Sequence, residues 1–122
     1  MNDTNRTTDE RASHTPGPWR IQQESVDTQW HIITAAGGRI MANIHIETGN
    51  AMDAANARLI AAAPELLEAL KRLARTYVST MESGRDRIIA LGGDCDPVDV
   101  MERGDPYLRI AKEAIAKAEG RS

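Results

Sequence analysis

Ala54-Ala55-Asn56-Ala57-Arg58-Leu59-Ile60-Ala61-Ala62-Ala63-Pro64-Glu65-Leu66-Leu67-Glu68-Ala69-Leu70 is a run of strong helix formers interrupted by a single proline. Pro64 has no backbone N–H and disfavours helical geometry at Ala63, so it either kinks one long helix or opens a second. Glu65 and Glu68 suit the first turn of a fresh helix, where carboxylates favour the helix dipole, and this tips the reading towards a break. Helices are therefore expected over about residues 51–63 and 64–91. Upstream, Thr48-Gly49 makes a turn and Asn50 is a good N-cap, with Asp53 three residues on. Met52, Ala55, Leu59, Ile60 and Ala63 supply the apolar positions of the first helix. Those of the second are Leu66, Leu67, Leu70, Leu73, Tyr77, Val78 and Met81, extended through Gly84 by Ile88 and Leu91. Gly92 to Asp99 reads as a loop by its glycines, proline and aspartates. Asp105-Pro106 then sets an N-cap and first position for a last helix over about 106–119, which Gly120 ends. No internal repeat or heptad array is expected.

Before the helices, three short runs have strand composition, over about 19–24, 29–35 and 39–46. An antiparallel meander is the economical topology. A two-residue Gly37-Gly38 turn would pair Ile32 with Asn43 and Trp30 with His45, mixing apolar with polar. A three-residue Ala36-Gly37-Gly38 loop, with Gly38 in the left-handed position of a bulge, pairs Thr34 with Ile40, Ile32 with Ala42 and Trp30 with Ile44, and is preferred. The same reasoning pairs Trp19 with Ile32 and Ile21 with Trp30. Both tryptophans then share an apolar face with Ile40, Ala42, Ile44 and Ile46. The opposite face carries Arg20, Gln22, Gln29, His31, Ile33, Met41, Asn43 and His45, a mixed surface suited to a ligand or a subunit. Residues 1–13 are polar almost throughout and are expected to form a disordered tail.

The expected fold class is thus α+β: a three-stranded antiparallel β-meander followed by two or three α-helices, in a single domain over residues 14–122. With four aromatic residues and no Phe in 122, the core must be aliphatic and alanine-rich. Alanine buries little area, and at roughly 25 cal/mol per Å² such a core is thin. A homo-oligomer is a natural way to bury more. The formal charge of −3 argues against general nucleic-acid binding, since no basic stripe supplies phosphate contacts. No apolar run approaches the roughly 20 residues that span a bilayer, so no membrane partner is expected. The single cysteine, Cys95, excludes an intrachain disulfide and fits a reducing cytoplasm.

No catalytic signature stands out. His31 and His45 share a sheet face and with an aspartate would suit a divalent metal, but no third ligand is obvious, so no metal or other cofactor is expected. Asp94, Asp96 and Asp99 lack the glycine and downstream glutamate of an EF-hand loop. Cys95 between two aspartates has its thiolate disfavoured, the reverse of what a nucleophile needs. No nucleophile elbow or phosphate-cradling glycine loop is present. Enzymatic activity is not expected. The candidate ligand-binding residues are instead Arg20, Arg39, Arg58, Arg72 and Arg75, whose guanidiniums bind anions well where they converge, together with His31 and His45.

Two motifs carry a resemblance: His14-Thr15-Pro16-Gly17-Pro18-Trp19 and Asn56-Ala57-Arg58-Leu59-Ile60-Ala61-Ala62-Ala63-Pro64-Glu65-Leu66-Leu67-Glu68-Ala69-Leu70. Together they resemble a family of small proteins encoded by bacteriophages and prophages. The likeness covers about 21 residues, is weaker at Ala111 to Gly120, and supplies no catalytic residues to carry over. It implies an accessory phage protein acting in the cytoplasm of the bacterial host. Such proteins often bind and inhibit a host antiviral-defence protein. Alternatives are an oligomeric sponge that sequesters a cyclic nucleotide defence signal, and a structural or regulatory phage component.

Overall fold

The computed structural model describes residues 14–23, 29–34 and 37–121. The tail expected over residues 1–13, the first connection of the meander, and the strand ends expected at Glu24 and Ala35 lie outside them. Strands β1 (Trp19–Gln23), β2 (Gln29–Thr34) and β3 (Ile40–His45) form one antiparallel sheet in the order β1-β2-β3. Helices α1 (Ala51–Ala90), α2 (Val98–Gly104) and α3 (Pro106–Ala118) follow. This is the expected α+β meander with helices. Backbone contacts divide the chain, expected to be one domain, into two compact units, the first ending at Leu66 and the second beginning at Leu67. The boundary falls inside α1.

In the sheet, Ile32 pairs with Ala42 and Trp30 with Ile44, as expected. The hairpin closes differently. Thr34 N donates to Arg39 O at 3.0 Å and Gly38 N to Thr34 O at 2.9 Å, so the connection is residues 35–38, one longer than expected. A bulge in β3 opposite Ile32 and Ile33 absorbs the extra residue and restores the register beyond it. Gly38 holds φ of 66°, the left-handed conformation foreseen for it. One consequence is a correction: Ile40 pairs with Ile33 and not Thr34, which moves it from the tryptophan face to the row of Arg20.

Between β1 and β2 the register is two residues from the expected one, with Trp19 opposite Thr34, Ile21 opposite Ile32 and Gln23 opposite Trp30. A two-residue slide leaves every side chain on its face. It also gives Ile33 and Thr34 partners in β1 that the expected register would have denied them, which matters because Ile33 is buried and its backbone groups need hydrogen bonds. Ile32 and Ile33 are both buried although they point to opposite faces. The mixed face is therefore covered at its centre.

α1 begins as expected. Asn50 Oδ1 accepts from Met52 N at 3.0 Å and Asp53 N at 3.1 Å, while Asp53 Oδ2 accepts from Glu47 N at 3.0 Å. It ends in a Schellman motif: Gly92, with φ of 87°, donates to Ile89 O and Gly93 to Ile88 O. Between these ends lies the main departure from expectation, because the helix passes through Pro64 without a break. Pro64 is buried, and Gly17 sits so close that a Cβ added there would lie 2.9 Å from Pro64 Cβ and 3.3 Å from its Cγ. The packed ring offsets the missing hydrogen bond, and tertiary burial overrides the local breaking tendency.

The buried side of α1 in the first unit is also not the expected one. Ala57 and Pro64, seven residues apart, are buried, whereas Met52 and Leu59 are 75% and 62% exposed. Ala57 is buried too deeply for a leucine to be accommodated there without overpacking. The segment leading to β1 is braced by Trp19, whose Nε1 donates to Thr15 O at 3.0 Å and whose ring meets the His14 ring edge-on at 6.1 Å. The Gly17–Pro18 peptide is cis.

Gly17→Ala should lower stability by about 1–3 kcal/mol through overpacking against Pro64. Gly104→Ala, where an added Cβ meets nothing, should leave the thermal midpoint nearly unchanged. Parallel melts by circular dichroism check the pair.

Candidate functional site

The second unit is built on hydrogen bonds that pin α3 antiparallel to α1. Lys71 Nζ donates to Glu119 Oε2 at 2.7 Å at one end, and Tyr77 Oη donates to Asp105 Oδ2 at 2.5 Å at the other. Asp105 is also the N-cap of α3, its Oδ1 accepting from Tyr107 N and Leu108 N at 3.0 Å each, with Pro106 in the first helical position as expected. α3 closes in a second Schellman motif, with Gly120 N bonding Lys117 O and Arg121 N bonding Ala116 O. Leu108 and Ile115, one helix face of α3, are its buried residues.

α2 falls in the stretch between the loop and the last helix, where no element was expected. At seven residues it is too short for periodicity to reveal. Arg103 pairs with Asp99 one turn earlier, and Lys112 bonds Glu102. Arg85 Nε donates to Asp96 O at 3.0 Å, which ties the connector to α1.

These elements enclose a groove of about 570 Å³. Its apolar floor is Ala74, Val78 and Ile115; Lys71, Arg75, Glu82, Glu102, Lys112, Glu119 and Arg121 ring it. Most of the charges are matched, for Glu119 bonds both Lys71 and Arg121. Those hydrogen bonds, Lys71 first and Arg121 second, hold the Glu119 carboxyl below its ordinary range. Among the described residues Arg75 and Glu82 have no ion-pair partner. Ser79 lies beside them, and no histidine lines the groove.

Of the expected ligand-binding residues, Arg75 lines this groove, and Arg72 is exposed on α1 in the same unit. Arg20, Arg39 and Arg58 are exposed in the first unit, on β1, ahead of β3 and on α1 respectively. His31 Nδ1 lies 2.7 Å from Asn43 Oδ1, and His45 is exposed at the end of β3 opposite Gln29, so the two histidines are not cross-strand partners. Among the described residues no group of three His, Cys, Asp or Glu is arranged to hold a metal ion. A cleft in the first unit, lined by Trp30, Ile46 and Asn50, sits at the start of α1, where Asn50 already satisfies the helix N–H groups. The groove residues Lys71, Glu102, Lys112, Glu119 and Arg121 escaped sequence reasoning. Lys71 and Glu119 are 48 residues apart, and the one available signal was the Asp105-Pro106 helix start.

A protein-family model described as Salmonella phage P22 protein Y8K6 matches residues 1–122. The chain belongs to that phage protein family. The expected likeness to a phage protein family is thereby borne out, and the two stretches quoted for it meet in the structure where Gly17 seats on Pro64. No curated protein and no solved structure matches the chain. Among the described residues no helix is long and apolar enough to cross a membrane.

The Tyr77 hydroxyl, with the N–H of Leu108 behind it, lowers the Asp105 carboxyl, and Asp105 raises the Tyr77 phenol. A lowered carboxyl contributes stability above its unfolded value, lost as pH falls through the folded one. A raised phenol contributes below its unfolded value, lost as pH rises through the folded one. The gap in thermal midpoint between the wild-type chain and Tyr77→Phe should therefore be widest between about pH 5 and 9, and narrow below about pH 4 and above about pH 10. Melts across that range test this.

Proposed function

We propose that this chain is a non-enzymatic phage accessory protein that acts in the cytoplasm of the bacterial host by binding and inhibiting a protein component of antiviral defence. The observation that carries this reading is the groove of the second unit, where Arg75 and Glu82 present opposite, uncommitted charges over an apolar floor. Such a surface fits a polypeptide bearing both charges and apolar side chains. It fits a phosphodiester poorly, because Glu82, Glu102 and Glu119 share the rim. Membership in a phage family supports the setting.

The test is a charge reversal, Arg75→Glu with Glu82→Arg, expressed in a host carrying an active defence system. The wild-type chain should raise the plating efficiency of a sensitive phage, and the double variant, folded by circular dichroism, should lose that effect by at least about tenfold. Equal protection by both would overturn the role of the groove. A thermal-shift panel of cyclic di- and oligonucleotides separates the sponge alternative, since a ligand at a hundred times its Kd stabilises by about 2.7 kcal/mol. The expected result is no shift. Co-purification with virions would point instead to a structural role.

A further inference from the structure

Within the second unit, α1 presents Leu73, Tyr77, Thr80, Gly84 and Ile88, and Leu91, the first residue past its end, continues the row, all spaced by threes and fours as one helix face requires. None of the six is charged; Arg72, Arg75, Glu82 and Asp86 fall on other sides of the helix, and the exposed Arg87 flanks the row at one edge. Leu73 is 65% and Leu91 82% exposed, and Tyr77 and Ile88 are exposed as well. Tyr107 of α3, 81% exposed, continues the surface across an apolar groove formed with Leu70, Leu73 and Ala111. Scattered exposed leucines are ordinary, but a contiguous row depleted of charge is the signature of an interface centre. Gly84 adds an independent sign. A Cβ there would meet nothing within 4 Å, so no neighbour among the described residues explains a residue that weakens the middle of a helix.

The geometry points to a second copy of this chain as the occupant, docked antiparallel along this row. The row is symmetric about its own midpoint near residue 82. A two-fold axis there sets Leu73 against Leu91 of the second copy, Tyr77 against Ile88 and Thr80 against Gly84. Each bulky apolar side chain then meets another, and the glycine lets the backbones approach where threonine faces it. A parallel pairing would set glycine on glycine, leave a void, and place like helix ends together. The exposed parts of Leu73, Tyr77, Ile88, Leu91 and Tyr107 come to roughly 600 Å² per copy, or about 1,200 Å² for two, the lower bound for a stable interface. Arg75 and Glu82 lie on the other side of α1, so the pairing leaves both polar grooves open. The inference stands whether or not the groove binds a host protein.

Light scattering on the full chain from about 1 to 100 μM should give twice the monomer mass. Leu73→Glu should be monomeric and still helical by circular dichroism, with association weakened at least about a hundredfold. Leu91→Glu, at the exposed helix end, should do the same and covers the case in which Leu73→Glu does not fold. Arg75→Glu should remain dimeric. In a Cys95→Ser background, mixing Thr80→Cys with Gly84→Cys should give a mixed disulfide in preference to either self-disulfide. A monomer across the whole range, a dimer untouched by both glutamates, or preferential Thr80→Cys self-disulfides would overturn the proposal.

Discussion

The close seating of Gly17 on Pro64 is the constraint on which the first unit depends. A proline inside a helix removes one hydrogen bond and crowds the carbonyl one turn back, at a cost of about 3 kcal/mol when nothing compensates. Here the ring is buried and contacted by a residue that only glycine can supply at that distance. The liability becomes a packing surface. The same contact locates the chain just ahead of β1, where Trp19 then bonds back to Thr15. The stretches His14–Trp19 and Asn56–Leu70 are therefore two sides of one junction, and neither is legible as such without the other.

Much of the fold was legible because it follows from local chemistry. Alternation and turn residues predict the meander, Asn50 and Asp105 predict helix starts through their side-chain carbonyl and carboxylate, and Gly92 and Gly120 predict ends through their positive φ. What was not legible is set by distant partners. The helix is unbroken at Pro64 because of Gly17, 47 residues upstream in the numbering. Its inward side carries Ala57 and Pro64 and leaves Leu59 exposed, which helical spacing of the larger apolar residues does not reveal. The bulge that rescues the expected pairing of Ile32 with Ala42 depends on one residue of loop length. In the groove, sequence reasoning reached Arg75 but not Glu119, because nothing local marks residues joined across two helices.

The second unit rests on carboxylates that serve more than one partner. Asp105 caps α3 with one oxygen and receives the Tyr77 hydroxyl with the other, and Glu119 accepts from two cations. Exposed ion pairs are individually worth little, so their effect is to fix orientation while Leu108 and Ile115 provide the apolar burial. Such an arrangement specifies how α3 lies on α1 without a large core.

The aromatic residues are few but unevenly placed. Trp19 and Trp30 belong to the first unit, Tyr77 and Tyr107 to the second, and the chain has no phenylalanine. The chain is thus its own two-colour label: tryptophan emission reports on the sheet and the lead-in segment, and tyrosine absorbance on the pairing of α1 with α3. Whether the two units unfold together or in sequence can be read from the unmodified protein, with no fluorophore attached.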